Sequence, residues 1–154
     1  MLETLAAART ELEEIVADMP ESAWTAPVYE NGWNAKQLLC HIASTSGVAG
    51  FVLTLAASPS GAGGGGAGSY NVDDFNRQQV AARQEKTVSE LLSEAQSTFE
   101  RDNALIGQTE EGVFGRRFRA PWGIEGSVAD VIVGSVRDHL EAHMSDLRAA
   151  AKAA

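Results

Sequence analysis

"SVADVIVGSVRDHLEAHMSDL", residues 127–147, is the stretch whose reading decides the fold. Ser127 with Asp130 three positions on is a capping pattern, so a helix is expected to start there. From that start Val128, Ile132, Ser135 or Val136, His139, His143 and Leu147 fall at steps of three and four, the period of one helix face. Asp138 and Glu141 project elsewhere and read as solvated charges. The apolar face needs a partner surface, and that surface must also accept two imidazoles. A buried imidazole whose nitrogens find no partner costs roughly 1–3 kcal/mol.

Working outward, three more stretches carry the same period. Leu2, Leu5, Ala8, Leu12, Ile15, Val16 and Met19 make an amphipathic helix that ends before Pro20. "ESAWTAPVYENGW", residues 21–33, is an irregular connection with Pro27 and Asn31-Gly32 as turn chemistry. A second helix begins at Asn34, which Gln37 can reciprocate as a capping box, and runs on one face through Leu38, His41, Ile42, Thr45, Val48, Val52 and Leu55. "SPSGAGGGGAGSY", residues 58–70, reads as a flexible loop. A third helical region starts near Asp73, with Phe75, Gln79 and Ala82 on one side. "TVSE", residues 87–90, repeats the capping pattern, so that region bends or restarts before Leu91, Leu92, Ala95 and Phe99. Residues 107–126, including "GVFGRRFRAPWG", suit a small hairpin or an irregular loop. Four amphipathic helices in one chain predict an all-α four-helix bundle forming one domain over 1–154.

Composition agrees with packed helices. Hydrophobic residues are 44% of the chain and aromatics only 6%, so the core must rest mainly on Ala, Leu, Val and Ile. A net charge of −9 disfavours polyanions, which argues against nucleic acid and anionic membranes as partners. No uninterrupted apolar run approaches the roughly 20 residues of a bilayer span, and the N-terminus carries acids where a secretion signal is basic. A cytoplasmic protein is the expectation. The single cysteine, Cys40, cannot form an internal disulfide and reads as a small core residue.

The chain has three histidines. On a helix, residues four apart lie about 40° apart around the axis and about 6 Å along it, so His139 and His143 can converge on one ion. His41 sits on the apolar face of its own helix. The structural alternative is that each is an ordinary hydrogen-bonded histidine. Depth offers a test: His41 lies about 10 Å from the start of its helix, and the pair about 12–18 Å from the end of theirs. The depths match if helices 2 and 4 are antiparallel. An up-down-down-up order then makes helices 2 and 3 parallel, and about 14 residues at roughly 3.3 Å each can provide the long glycine-rich crossover. Three imidazoles would leave open positions on an ion, as catalytic sites do. A di-iron site would need Glu-x-x-His on two helices, and the chain has no such spacing.

"GWNAKQLLCHIAS", the glycine-containing crossover, "DDFNRQQVAARQEKTVSELLSEA" and "VADVIVGSVRDHLEAHMSDL" together resemble the DinB and YfiT-like superfamily of metal-dependent enzymes. That superfamily includes the metal-binding domain of mycothiol-dependent maleylpyruvate isomerase. The resemblance covers nearly the whole chain and implies a four-helix bundle of the order just described. It implies metal ligation by one histidine of helix 2 and a pair in helix 4, here His41, His139 and His143. Some relatives carry a carboxylate where this chain has His139. The resemblance further implies zinc or nickel, a low-molecular-weight thiol such as mycothiol, bacillithiol or glutathione, and often a homodimer.

The expected function is therefore a thiol-dependent transfer or isomerisation on a small electrophilic substrate at a three-histidine metal site. The alternative is a non-catalytic metal-containing bundle that binds a small molecule or a protein in a stress response. Arg116, Arg117 and Arg119 form a local basic patch, which could take an anionic group but is expected to pair with acidic helices. Trp33 and Trp122 are expected to be packing anchors, and either could line a pocket mouth.

Overall fold

Leu5, Ala8, Leu12 and Ile15 recur at helical spacing, and they are the residues that α1 (Leu2–Asp18) buries. In this computed structural model, which describes residues 1–29, 32–57 and 71–153, α1 ends where Met19 turns to extended backbone ahead of Pro20, which has no N–H to continue the ladder. A 3-10 turn, Glu21–Thr25, then buries Ala23 and Trp24. The chain doubles back through an antiparallel bridge between Pro27 and Asn34.

Asn34 and Gln37 form the expected capping box at the start of α2 (Ala35–Thr45), the kind of cap worth about 1 kcal/mol. The second helix does not run straight to Leu55. It breaks after Thr45 and resumes as α3 (Val48–Ala57). Three hydroxyls crowd the break: Ser44 and Thr45 both donate to the carbonyl of His41, and Ser46 donates to that of Ala43. Such back-bonding bends helices. The buried stripe accordingly shifts from the expected Thr45 and Val48 to Ser46 and Ala49 before returning to Val52.

The glycine-rich stretch 58–70 lies outside the described residues. Beyond it, α4 (Val72–Ala81) buries Val80, and the expected Phe75 and Ala82 are exposed. Phe75 is apolar in type, but its place on α4 puts it at the rim of the bundle. The restart read from "TVSE" is present: Thr87 and Glu90 cap α5 (Val88–Gln108), which buries Leu91, Ala95 and Phe99. A short helix, α6 (Glu111–Phe114), precedes a hairpin of β1 (Arg117–Arg119) and β2 (Glu125–Ser127). Phe118 enters the core while the flanking arginines stay outside. The hairpin's tight end is made at Gly123, where φ is +98°, a conformation natural to glycine.

Ser127 and Asp130 cap the last helix as expected. That helix is α7 (Val128–Gly134), a π-helical segment (Ser135–Leu140) and α8 (Glu141–Ala153) in succession. Its core stripe is Ile132, Val136, Leu140 and Met144, a strict spacing of four. On an ideal helix each such step over-rotates by about 40°. The wider π turn absorbs the drift. The expected stripe through His139 and His143 is corrected by one position: Leu140 and Met144 are buried, His143 is half-buried and His139 is exposed. The histidines flank the core face instead of lying within it.

Around one core, α1 packs on α5 and α8, α2 on α4, α5 and α8, and α3 on α5 and α7. The architecture is a helical bundle with one small hairpin. The segment Ala35–Ala57 is long and apolar enough to cross a membrane by length and composition, although scattered polar residues interrupt its apolar run; an 18-residue window in it has a mean hydropathy of 1.7. Of that window 56% is buried inside the bundle.

Candidate metal centre

His41 is carried by the second turn of α2, and the capping box at Asn34 fixes where that turn begins. His139 ends in the π segment and His143 in the first turn of α8. From these two separate helices the three imidazoles meet, with a ring nitrogen from each lying within 4.8 Å of the others. Nε2 of His41 and Nε2 of His139 are 3.0 Å apart. The ring centroids are separated by 5.1 Å for His41 and His139, 4.9 Å for His41 and His143, and 4.5 Å for His139 and His143. All three rings are mutually near-perpendicular, so edges rather than faces converge.

Exposure grades across the cluster. His41 is 2% exposed, His143 is intermediate and His139 opens to solvent. Burial, then the charges of His143 and His139, push the His41 pKa down to about 3. For His139, burial of its inner edge and the charge of His143 lower it to about 4. Burial also lowers His143, against the opposing charge of Asp146. All three are therefore neutral at pH 7, the protonation state a metal ligand requires.

The connection 21–33 supplies two side chains that periodicity did not single out. Trp33 packs its ring on His41 with centroids 4.9 Å apart, so it covers the buried ligand instead of merely anchoring a helix start. Tyr29 places its hydroxyl 3.3 Å from Nδ1 of His143 and donates to Oδ2 of Asp146 at 2.6 Å. Burial and then the bond to Asp146 raise the Tyr29 pKa. Asp146 shares a helix face with His143 three residues earlier, a spacing visible in the sequence. Tyr29 lies in a turn with no period to reveal it.

The remaining candidates are elsewhere. Cys40 is fully buried, burial raises its thiol pKa, and it is not among the converging donors. Asp138 pairs with its neighbour Arg137 in solvent. Arg117 pairs with Glu125 of its own hairpin, where acidic helices had been the expected partners. Trp122 stacks on Phe51 with centroids 5.9 Å apart, away from the histidines.

Three neutral imidazole nitrogens are a donor set suited to zinc or nickel. A tetrahedral ion at about 2.0–2.1 Å from each nitrogen would need them about 3.3 Å apart. The cluster straddles that figure, from 3.0 Å for one pair up to 4.8 Å. The residues fit a metal.

The sequence profile described as the mycothiol maleylpyruvate isomerase N-terminal domain matches residues 5–148. The chain belongs to this family. Among solved structures, the family member is similar to YfiT from Bacillus subtilis, described as a probable metal-dependent hydrolase with an unusual four-helix bundle topology. The TM-score is 0.72 at 18% identity, over 99% of this chain and 84% of YfiT. It is also similar to the mycothiol-dependent maleylpyruvate isomerase, with a TM-score of 0.71 at 12% identity over 95% of this chain. A point mutant of that isomerase gives 0.73 at the same identity. The chain spans only 58% of the isomerase's length. At these identities the likeness is one of fold. A search of curated protein sequences returns no match.

Proposed function

We propose that this chain is a metal-dependent enzyme that holds a divalent ion, zinc or nickel, through His41, His139 and His143. In this reading it uses a low-molecular-weight thiol such as mycothiol to transfer a group to, or isomerise, a small electrophilic molecule. The observation that carries the reading is the convergence of three neutral imidazoles from two helices on one point. Family membership supports the thiol, and the metal-dependent neighbour supports the ion.

When bound, the ion would supply Lewis acidity that lowers the pKa of a coordinated thiol. The chain's own residues set the conditions for that. Burial keeps His41 unprotonated, so its lone pair stays available. Trp33, half-buried, covers one side of the His41 ring. His139, exposed to solvent, marks the side from which a substrate reaches the cluster.

The up-down-down-up course with a crossover through 58–70 belongs to this proposal, since it is the order that lets α2 and the last helix present their histidines at one depth. The reading also takes the protein as cytoplasmic, acting on a small molecule as a monomer or homodimer, without nucleic acid or membrane partners.

Protein purified without a histidine tag should carry about one ion per chain, and His41→Ala or His143→Ala should lose it. Elemental analysis reads this directly. The metal-loaded protein should then accelerate the reaction of a model electrophile with mycothiol, bacillithiol or glutathione. A rate no higher than that of metal-free protein with every thiol would leave metal binding intact and sink the transferase reading.

A further inference from the structure

Of the three imidazoles, only His143 has a hydrogen-bond partner outside the cluster among the described residues. The His41 Nδ1 is buried and has no hydrogen-bond partner there. Tyr29 bridges two groups of α8: its hydroxyl proton goes to Asp146 at 2.6 Å. Because that proton is committed, the phenol oxygen facing His143 Nδ1 at 3.3 Å is left to accept. The direction of both bonds is thereby fixed.

We infer that Tyr29 and Asp146 are positioning residues that hold His143 as the Nδ1–H tautomer, aim its bare Nε2 at the ion and so set the metal affinity. The inference rests on the metal reading above. A phenol between carboxylate and imidazole does here what a carboxylate or carbonyl does directly in many metal sites. The relay reaches the centre from the connection between α1 and α2. Gly32 sets where its tyrosine stands. Its amide donates to the Tyr29 carbonyl at 3.2 Å, and a Cβ added at Gly32 would sit 2.8 Å from the Tyr29 Cβ. Any larger residue must push the tyrosine aside.

The test measures zinc affinity by competition with a chromophoric chelator, and the tautomer of His143 by 15N-resolved NMR of metal-free protein at neutral pH. Wild type should show His143 protonated on Nδ1. Tyr29→Phe, which keeps the ring and its packing, should mix the tautomers and weaken zinc binding roughly 10–100-fold. Asp146→Asn should weaken it in the same direction, and the double variant should be no worse than the poorer single one, because the two act in series. Gly32→Ala should weaken binding without removing any hydrogen-bonding group. Variants that keep both the tautomer and an affinity within about threefold of wild type, while His143→Ala loses the ion, would overturn the relay and leave the metal centre standing. A wild type that binds no ion would overturn the centre and the relay together.

Discussion

His41 is the most constrained residue in the molecule: a neutral imidazole, fully enclosed, with one nitrogen committed to the cluster and the other unpartnered among the described residues. Its depressed pKa has a consequence for metal-free protein. The unfolded chain takes up a proton on this ring near pH 6.5, whereas the folded chain resists until about pH 3. Between those values the unfolded state binds more protons, so stability should be full above about pH 6.5 and fall as the pH drops toward 3. Urea titrations across that range should show the fall, and His41→Ala should flatten it. Asp102 shows a second enclosed charge: its carboxylate accepts from the amides of Ala49 and Gly50 at the start of α3, and burial raises its pKa. A Cβ at Gly50 would sit 2.5 Å from its Oδ1. Gly50→Ala and Asp102→Ala should each cost about 1–3 kcal/mol in denaturant midpoints. The three histidines were legible as a set because they are the chain's only ones and share helical faces. Tyr29 and Asp102 were not, since their roles come from contacts across the chain that no local pattern records, and Gly32 was read only as turn chemistry.

At the level of elements, the decisive feature is the π segment Ser135–Leu140. Its extra residue lets α7 keep Val128, Val131 and Ile132 in the core while α8 keeps Met144 and Leu147 there. His139 and His143 are left on the flank that faces α2. Inserting an alanine beside the exposed Arg137 adds a residue beyond the one the π turn absorbs, so it should rotate one half against the other by about 100°. The variant should lose zinc while retaining a helical circular dichroism spectrum, whereas Arg137→Ala should keep the metal. The sequence announces this segment only through the fourfold spacing of Ile132, Val136, Leu140 and Met144, which a search for a 3.6-residue period blurs into an ordinary stripe. The break between α2 and α3 was hidden for a similar reason. Its cause lies in hydroxyl groups of "STS", Ser44 to Ser46, which neither interrupt the hydrophobic pattern nor add a glycine or proline before Gly47. Elements whose ends carry their own chemistry, such as the capping boxes at Asn34, Thr87 and Ser127, were placed correctly.

For the molecule as a whole, metal binding and folding should be linked, because the ligands come from two helices that only the packed bundle brings together. Zinc at about 100 times its Kd should add about 2.7 kcal/mol. In a domain of this size that corresponds to a Tm increase of about 5–10 °C. Scanning calorimetry should show the increase in wild type and none in His41→Ala. The bundle class was readable from four periodic stretches, but the assembly of the site was not, since within the connection 21–33 Trp33 was expected as a packing anchor or pocket-mouth residue and no role was expected of Tyr29. Trp33 against His41 also gives the protein a built-in optical reporter. The chain has three tryptophans, and Trp24 and Trp122 are placed elsewhere, in the core and against Phe51. With those two replaced by phenylalanine, the remaining indole fluorescence should be quenched by nickel, whose unfilled d shell drains the excited state, and largely spared by zinc. The identity of the ion in the centre would then be visible as light, during turnover and without removing the protein from solution.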